Sequence, residues 1–116
     1  MQIETMTTEA IWEEIREQLT ANTAPYAEMN VAYTITLIGE EGGEYGLVFK
    51  EGQFETLSEK VEDADCTLIL SVSNFKKLLA GNLNTTASFM MGKLKVKGNI
   101  GLALKLEQLL KQYQFS

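Results

Sequence analysis

Apolar and polar positions alternate at two distinct periods along the chain, and the switches between them outline a fold. From Thr8 to Ala21 the apolar residues Ile11, Trp12, Ile15 and Leu19 recur at helical spacing, while Glu13, Glu14 and Glu17 take the other face. Thr7 or Thr8 supplies a cap, and Glu9 suits the positive end of the helix dipole. Asn22 ends this helix, and Pro25 turns residues 22–30 into a connection with room for a single turn. The period then changes to two. Val31, Tyr33, Ile35 and Leu37 alternate with Ala32, Thr34, Thr36 and Ile38, and the loop 39–43 leads to a second strand from Tyr45 to Lys50. A tight turn at Glu51-Gly52 introduces a third strand, Gln53 to Leu57. Residues 58–65 form a charged connection before a fourth strand, Cys66 to Val72.

Ser73 is the expected cap of a short helix carrying Phe75, Leu78 and Leu79 and closed by Gly81; Asn84 or Thr85 opens another that runs to Met91. Gly92 stops it. Lys93 to Lys97 alternates strictly, with Leu94 and Val96 on one face and Lys93, Lys95 and Lys97 on the other, and Gly98 breaks the strand. The last helix starts at Asn99. Leu102, Leu106, Leu109, Leu110 and Tyr113 form one face, and Ile100 and Leu104 an adjoining one. A surface helix needs one apolar stripe, so two stripes predict a helix covered on two sides. The order is one helix, four strands, two short helices, a strand and a helix. It predicts the α+β class: a five-stranded mixed sheet with four to five helices covering one face. No repeat or linker divides the chain, so 1–116 reads as one domain.

Composition narrows the function. There is no histidine, which removes the commonest general base, metal ligand and near-neutral switch. The lone Cys66 allows no internal disulfide. It has no histidine to activate it, and Asp65 beside it disfavours the thiolate, so it reads as structural. Glu62, Asp63 and Asp65 lack the glycine and distal glutamate of a calcium loop. The loop 39–43 is not a phosphate cradle, since no Lys-Ser/Thr and no helix follow it. No cofactor, metal site or catalytic constellation is therefore expected, and the chain does not read as an enzyme.

The net charge of −6 is unevenly spread. Residues 1–65 hold fifteen acidic and three basic groups; residues 66–116 hold one acidic and seven basic. Acidic surfaces serve solubility, and an edge strand lined with lysines resists aggregation. The same basic half also suits an anionic membrane or an acyl phosphate. No aromatics are interleaved with the lysines for stacking on bases, so nucleic acid is not an expected partner.

Residues 92–106, Gly-Lys-Leu-Lys-Val-Lys-Gly-Asn-Ile-Gly-Leu-Ala-Leu-Lys-Leu, resemble the signature of the sterol carrier protein type 2 family of non-specific lipid-transfer proteins. Asp65-Cys66-Thr67-Leu68, Phe75, Leu79-Ala80-Gly81 and Leu83-Asn84 also resemble the family pattern. The resemblance implies an apolar cavity between sheet and helices that holds a fatty acid, acyl-CoA or phospholipid chain. The residues it points to as lining are Phe89, Met90, Met91, Leu94, Ile100 and Leu104. Met91 stands where many relatives carry glutamine, which implies a more purely aliphatic ligand than a sterol. The alternative is a non-catalytic dimerisation or accessory module for a lipid-modifying enzyme. The acidic N-terminal stretch resembles no signal or transit peptide, and the ending Tyr113-Gln114-Phe115-Ser116 is not the peroxisomal address of some relatives, so a cytoplasmic location is expected. The expected partners are the lipid ligand, an anionic membrane surface touched transiently by Lys93, Lys95 and Lys97, and, as an alternative, a second copy of the chain.

Overall fold

The computed structural model describes residues 3–115, so the expected domain span 1–116 reaches beyond the described residues at both ends. A mixed five-stranded sheet carries the architecture, in the order β3-β2-β1-β4-β5. The strands are β1 (Val31–Ile38), β2 (Gly43–Lys50), β3 (Gln53–Leu57), β4 (Cys66–Ser71) and β5 (Leu94–Gly98). Only the β1–β4 pairing is parallel. Helices α1 (Thr8–Ala21), α2 (Val72–Leu79), α3 (Thr85–Met90) and α4 (Ile100–Leu110) complete the described elements, with 3-10 turns at Ile3–Thr5 and Ala24–Tyr26. The α+β class and the five-stranded mixed sheet read from the sequence are present.

The core forms between the helices and one face of the sheet. Tyr33, Ile35 and Leu37 of β1, Leu47 and Phe49 of β2, Cys66, Leu68 and Leu70 of β4 and Leu94 of β5 are all buried. They meet Ile11, Trp12, Ile15 and Leu19 of α1, Phe75, Leu78 and Leu79 of α2, and Ala103, Leu106, Leu109 and Leu110 of α4. The Trp12 ring stacks between Tyr45 at 5.0 Å and Phe75 at 5.6 Å, joining α1, β2 and α2.

The opposite face is crossed by the connection 58–65. Thr34 points to that side and exchanges hydrogen bonds with Val61, whose N–H donates to the Thr34 hydroxyl at 2.9 Å. The crossing chain sits so close that a Cβ on Gly46 would lie 2.6 Å from Val61 Cγ2, so glycine is required there for its absent side chain.

Several boundaries differ from the sequence reading, among them the start of β2, at Gly43 and not Tyr45, and the end of α3, at Met90 and not Met91. Strand β4 ends at Ser71, whose hydroxyl accepts from Asn74 N at 3.0 Å; Ser71, not Ser73, caps α2. Both serines precede helical spacing, and the parallel register with β1, which ends at Ile38–Ser71, decides between them. Strand β5 extends through Gly98, paired with Cys66, because β4 continues beside it. The tail after α4 is tied down: Tyr113 donates to the Asn22 carbonyl at 2.6 Å, Gln114 N donates to Gln18 Oε1 at 2.9 Å, and Phe115 is buried.

Candidate functional site

Helix α3 packs against β5 and α4, and α4 rests on β4 and β5. All six residues singled out as cavity lining lie on these three elements and the turn joining α3 to β5. Leu94 is buried beneath them and Ile100 is half-buried. The other four reach solvent: Phe89 is 42% exposed, Met90 79%, Met91 67% and Leu104 36%. The second apolar stripe of α4, expected to be covered, is therefore open at Leu104 and partly open at Ile100. Among the described residues the only other large apolar side chain so exposed is Ile38.

The turn that presents Phe89, Met90 and Met91 is locally determined. Asn84 caps α3 by accepting from Ala87 N at 2.8 Å. At the other end Gly92 N donates to the Phe89 carbonyl at 3.2 Å and Lys93 N to the Ser88 carbonyl at 2.9 Å. This pair of bonds is the glycine stop of a helix C-terminus, and Gly92 takes the left-handed backbone it needs, at φ +77°. Lys93, Lys95 and Lys97 are exposed. Lys95 and Lys97 stand on the face of the edge strand β5 turned away from the helices, beside Ile69 and Thr67 of β4.

Two polar contacts that the sequence reading did not anticipate hold these helices. Glu107, buried on α4, accepts from the backbone N–H of Thr85 at 2.9 Å and pairs with Lys111 at 3.0 Å. Burial would push its pKa up, but hydrogen bonds from Thr85 and Lys111 outweigh that and hold the carboxyl below its usual range. Tyr33, buried on the central strand, donates to the Leu102 carbonyl at 2.7 Å, fastening the first turns of α4 to the sheet. The acid among the leucines of α4 was the one available signal for Glu107. Nothing local marked Tyr33, since its partner lies 69 residues away.

Burial, then the charge of Asp65, pushes the Cys66 thiol up to about 11. No group of acidic, cysteine or histidine side chains able to hold a metal occurs among the described residues. No helix there is long and apolar enough to cross a membrane. A surface cleft of about 400 Å³ between α1 and β2 includes Glu9, Arg16 and Glu44 in its wall, a lining unsuited to an acyl chain.

The SCP-2 sterol transfer family profile matches residues 13–111. Hydroxysteroid dehydrogenase-like protein 2 of Bos taurus is 42% identical over 81 residues, a match that takes in 69% of this chain and 19% of that protein. This chain thus corresponds to about a fifth of the bovine relative. Among solved structures, sterol carrier protein 2 from Yarrowia lipolytica (apo form) superposes with a TM-score of 0.66 at 27% identity, over 91% of this chain and 88% of that one. UbiJ-SCP2, described as a ubiquinone synthesis protein, superposes with a TM-score of 0.61 at 28% identity, over 79% and 73%.

Proposed function

We propose that this chain, which belongs to the SCP-2 sterol transfer family, acts over 1–116 as a cytoplasmic carrier of a fatty acid, fatty acyl-CoA or phospholipid, by stoichiometric binding and without catalysis. One observation carries the reading: an apolar surface of Phe89, Met90, Met91 and Leu104, with half-buried Ile100, borders buried Leu94 where α3, β5 and α4 meet. An acyl chain entering there parts α3 and α4, and these six residues become the lining. Methionine suits that wall, because its unbranched thioether adapts to chains of different length. At about 0.8 kcal/mol per buried CH₂, a sixteen-carbon chain offers roughly 12 kcal/mol before ordering costs, enough for binding without a specific polar contact. The head group stays at the mouth, near Lys93. Lys93, Lys95 and Lys97 provide transient docking to anionic membranes, at about 1 kcal/mol each, decaying within a Debye length.

Titration of a fluorescent fatty acid tests the carrier reading. Saturable one-to-one binding is expected, weakened by Leu104→Glu, a position open enough to leave the fold intact. A linear, non-saturating signal overturns it. A second reading, an accessory module that dimerises or meets a lipid-modifying enzyme, is favoured by the exposure of Met90 and Met91. Native mass spectrometry distinguishes the two: co-purified lipid on a monomer supports the carrier, an empty dimer the module.

A further inference from the structure

We infer that the Phe89-Met90-Met91 turn is a membrane anchor: it inserts into the hydrocarbon edge of an anionic bilayer while Lys93, next to it, and Lys95 and Lys97 along the edge strand engage the head groups. This rests on the carrier reading, because a carrier must collect its cargo from a surface. It adds a penetrating element to what would otherwise be electrostatic docking alone.

Three observations carry it. The first is shape. Met90 and Met91 are among the most exposed large apolar side chains described, they are consecutive, and the half-exposed ring of Phe89 lies beside them. A Cβ placed on Gly92 would meet nothing within 4 Å, so the space beside that end of the turn is open. The second is backbone satisfaction. An unpaired N–H group resists transfer to hydrocarbon, so donors already bonded within the protein lower the cost of insertion. Here Met91 N donates to the Ala87 carbonyl at 3.0 Å, Gly92 N to Phe89 and Lys93 N to Ser88, so the donors of the turn are already satisfied. The turn is preformed and does not need to fold on contact.

The third is charge. Lys93 follows the apolar turn directly, and Lys95 and Lys97 continue along the exposed face of the edge strand. The only acid between residues 66 and 116 is Glu107, which is buried and paired with Lys111. An apolar tip followed directly by exposed Lys93, leading into an edge strand that carries exposed Lys95 and Lys97, matches anionic head groups overlying hydrocarbon. The lysines oppose pairing with a second copy along β5.

The test uses the buried Cys66, which leaves an introduced surface cysteine as the accessible thiol. An environment-sensitive dye is placed on Met90→Cys and, as a control at the far edge of the sheet, on Gln53→Cys. Vesicles of phosphatidylcholine with 30% phosphatidylserine should blue-shift and brighten the dye at position 90 and leave position 53 unchanged; pure phosphatidylcholine should do much less. Met90→Ser/Met91→Ser should retain the wild-type circular dichroism spectrum and lose about a hundredfold in vesicle affinity by flotation, as removal of two inserted apolar side chains requires. Equal shifts at both labels, no shift at either, or flotation of the double variant like wild type would overturn the anchor. So would a wild-type dimer that the double variant converts to monomer without any vesicle binding. Insertion by a protein that shows no saturable fatty-acid binding in free solution supports the anchor and removes the carrier reading. Fatty-acid binding without insertion removes the anchor alone.

Discussion

The carboxylate of Glu107 on α4 accepts a 2.9 Å hydrogen bond from the backbone N–H of Thr85, the first residue of α3. A six-residue helix has almost no stability of its own, so it depends on such ties. The buried acid on the last helix therefore positions the apolar turn at the other end of α3.

Glu107→Ala is expected to destabilise the fold by about 1–3 kcal/mol, since it leaves the Thr85 N–H buried without a partner. Urea unfolding measures this. The pH dependence has a definite sign. A carboxyl whose folded pKa is lowered contributes stability that is complete above its ordinary value of 4.5 and is lost as pH falls through the folded value. Below pH 4.5 the wild type should lose stability more steeply than Glu107→Gln, which cannot titrate. Parallel acid limbs for the two proteins would show that the carboxylate is not held as described.

Tyr33→Phe removes the hydroxyl that fastens the Leu102 carbonyl and leaves the ring in place. The expected cost is about 1 kcal/mol in denaturant unfolding. Because the bond holds the early turns of α4 to the sheet, exchange of a bound fluorescent acyl chain should quicken by more than its affinity falls. Unchanged exchange kinetics would place the opening elsewhere than at α4.

Gly46→Ala is expected to cost about 1–3 kcal/mol, because the new methyl meets Val61 Cγ2 at 2.6 Å. The double variant Gly46→Ala/Val61→Ala should recover part of that loss in a thermal or urea melt. A non-additive recovery identifies the crossing of 58–65 over the sheet as the source of the strain.

Aliphatic chains should bind better than sterols. Met91 offers no hydrogen bond to a ligand hydroxyl, and a rigid ring system gains less from a flexible thioether wall than a chain does. Competition of a bound fluorescent fatty acid with unlabelled palmitate and with cholesterol measures the order. Tighter binding by cholesterol would reverse the assignment.

Much of the fold was legible from local pattern. The alternation from Val31 to Ile38 and the helical spacing of Ile11, Trp12, Ile15 and Leu19 each state their own period, because burial of one face selects residues every two or every 3.6 positions. Gly92 and Asn84 marked the ends of α3 for equally local reasons: a left-handed backbone at one, a side-chain acceptor for a free N–H at the other. What the chain alone determined was therefore the elements, their class and the basic second half. Only the tertiary structure decided which apolar residues were covered. Leu94 and Met91 are both apolar and three positions apart, yet one is enclosed by α3 and α4 and the other stands in solvent, because exposure depends on which elements pack across a surface. The Glu107–Thr85 and Tyr33–Leu102 ties were hidden for the same reason. Each joins residues far apart in the chain, and no periodicity records a contact that exists only once the sheet has brought its helices together.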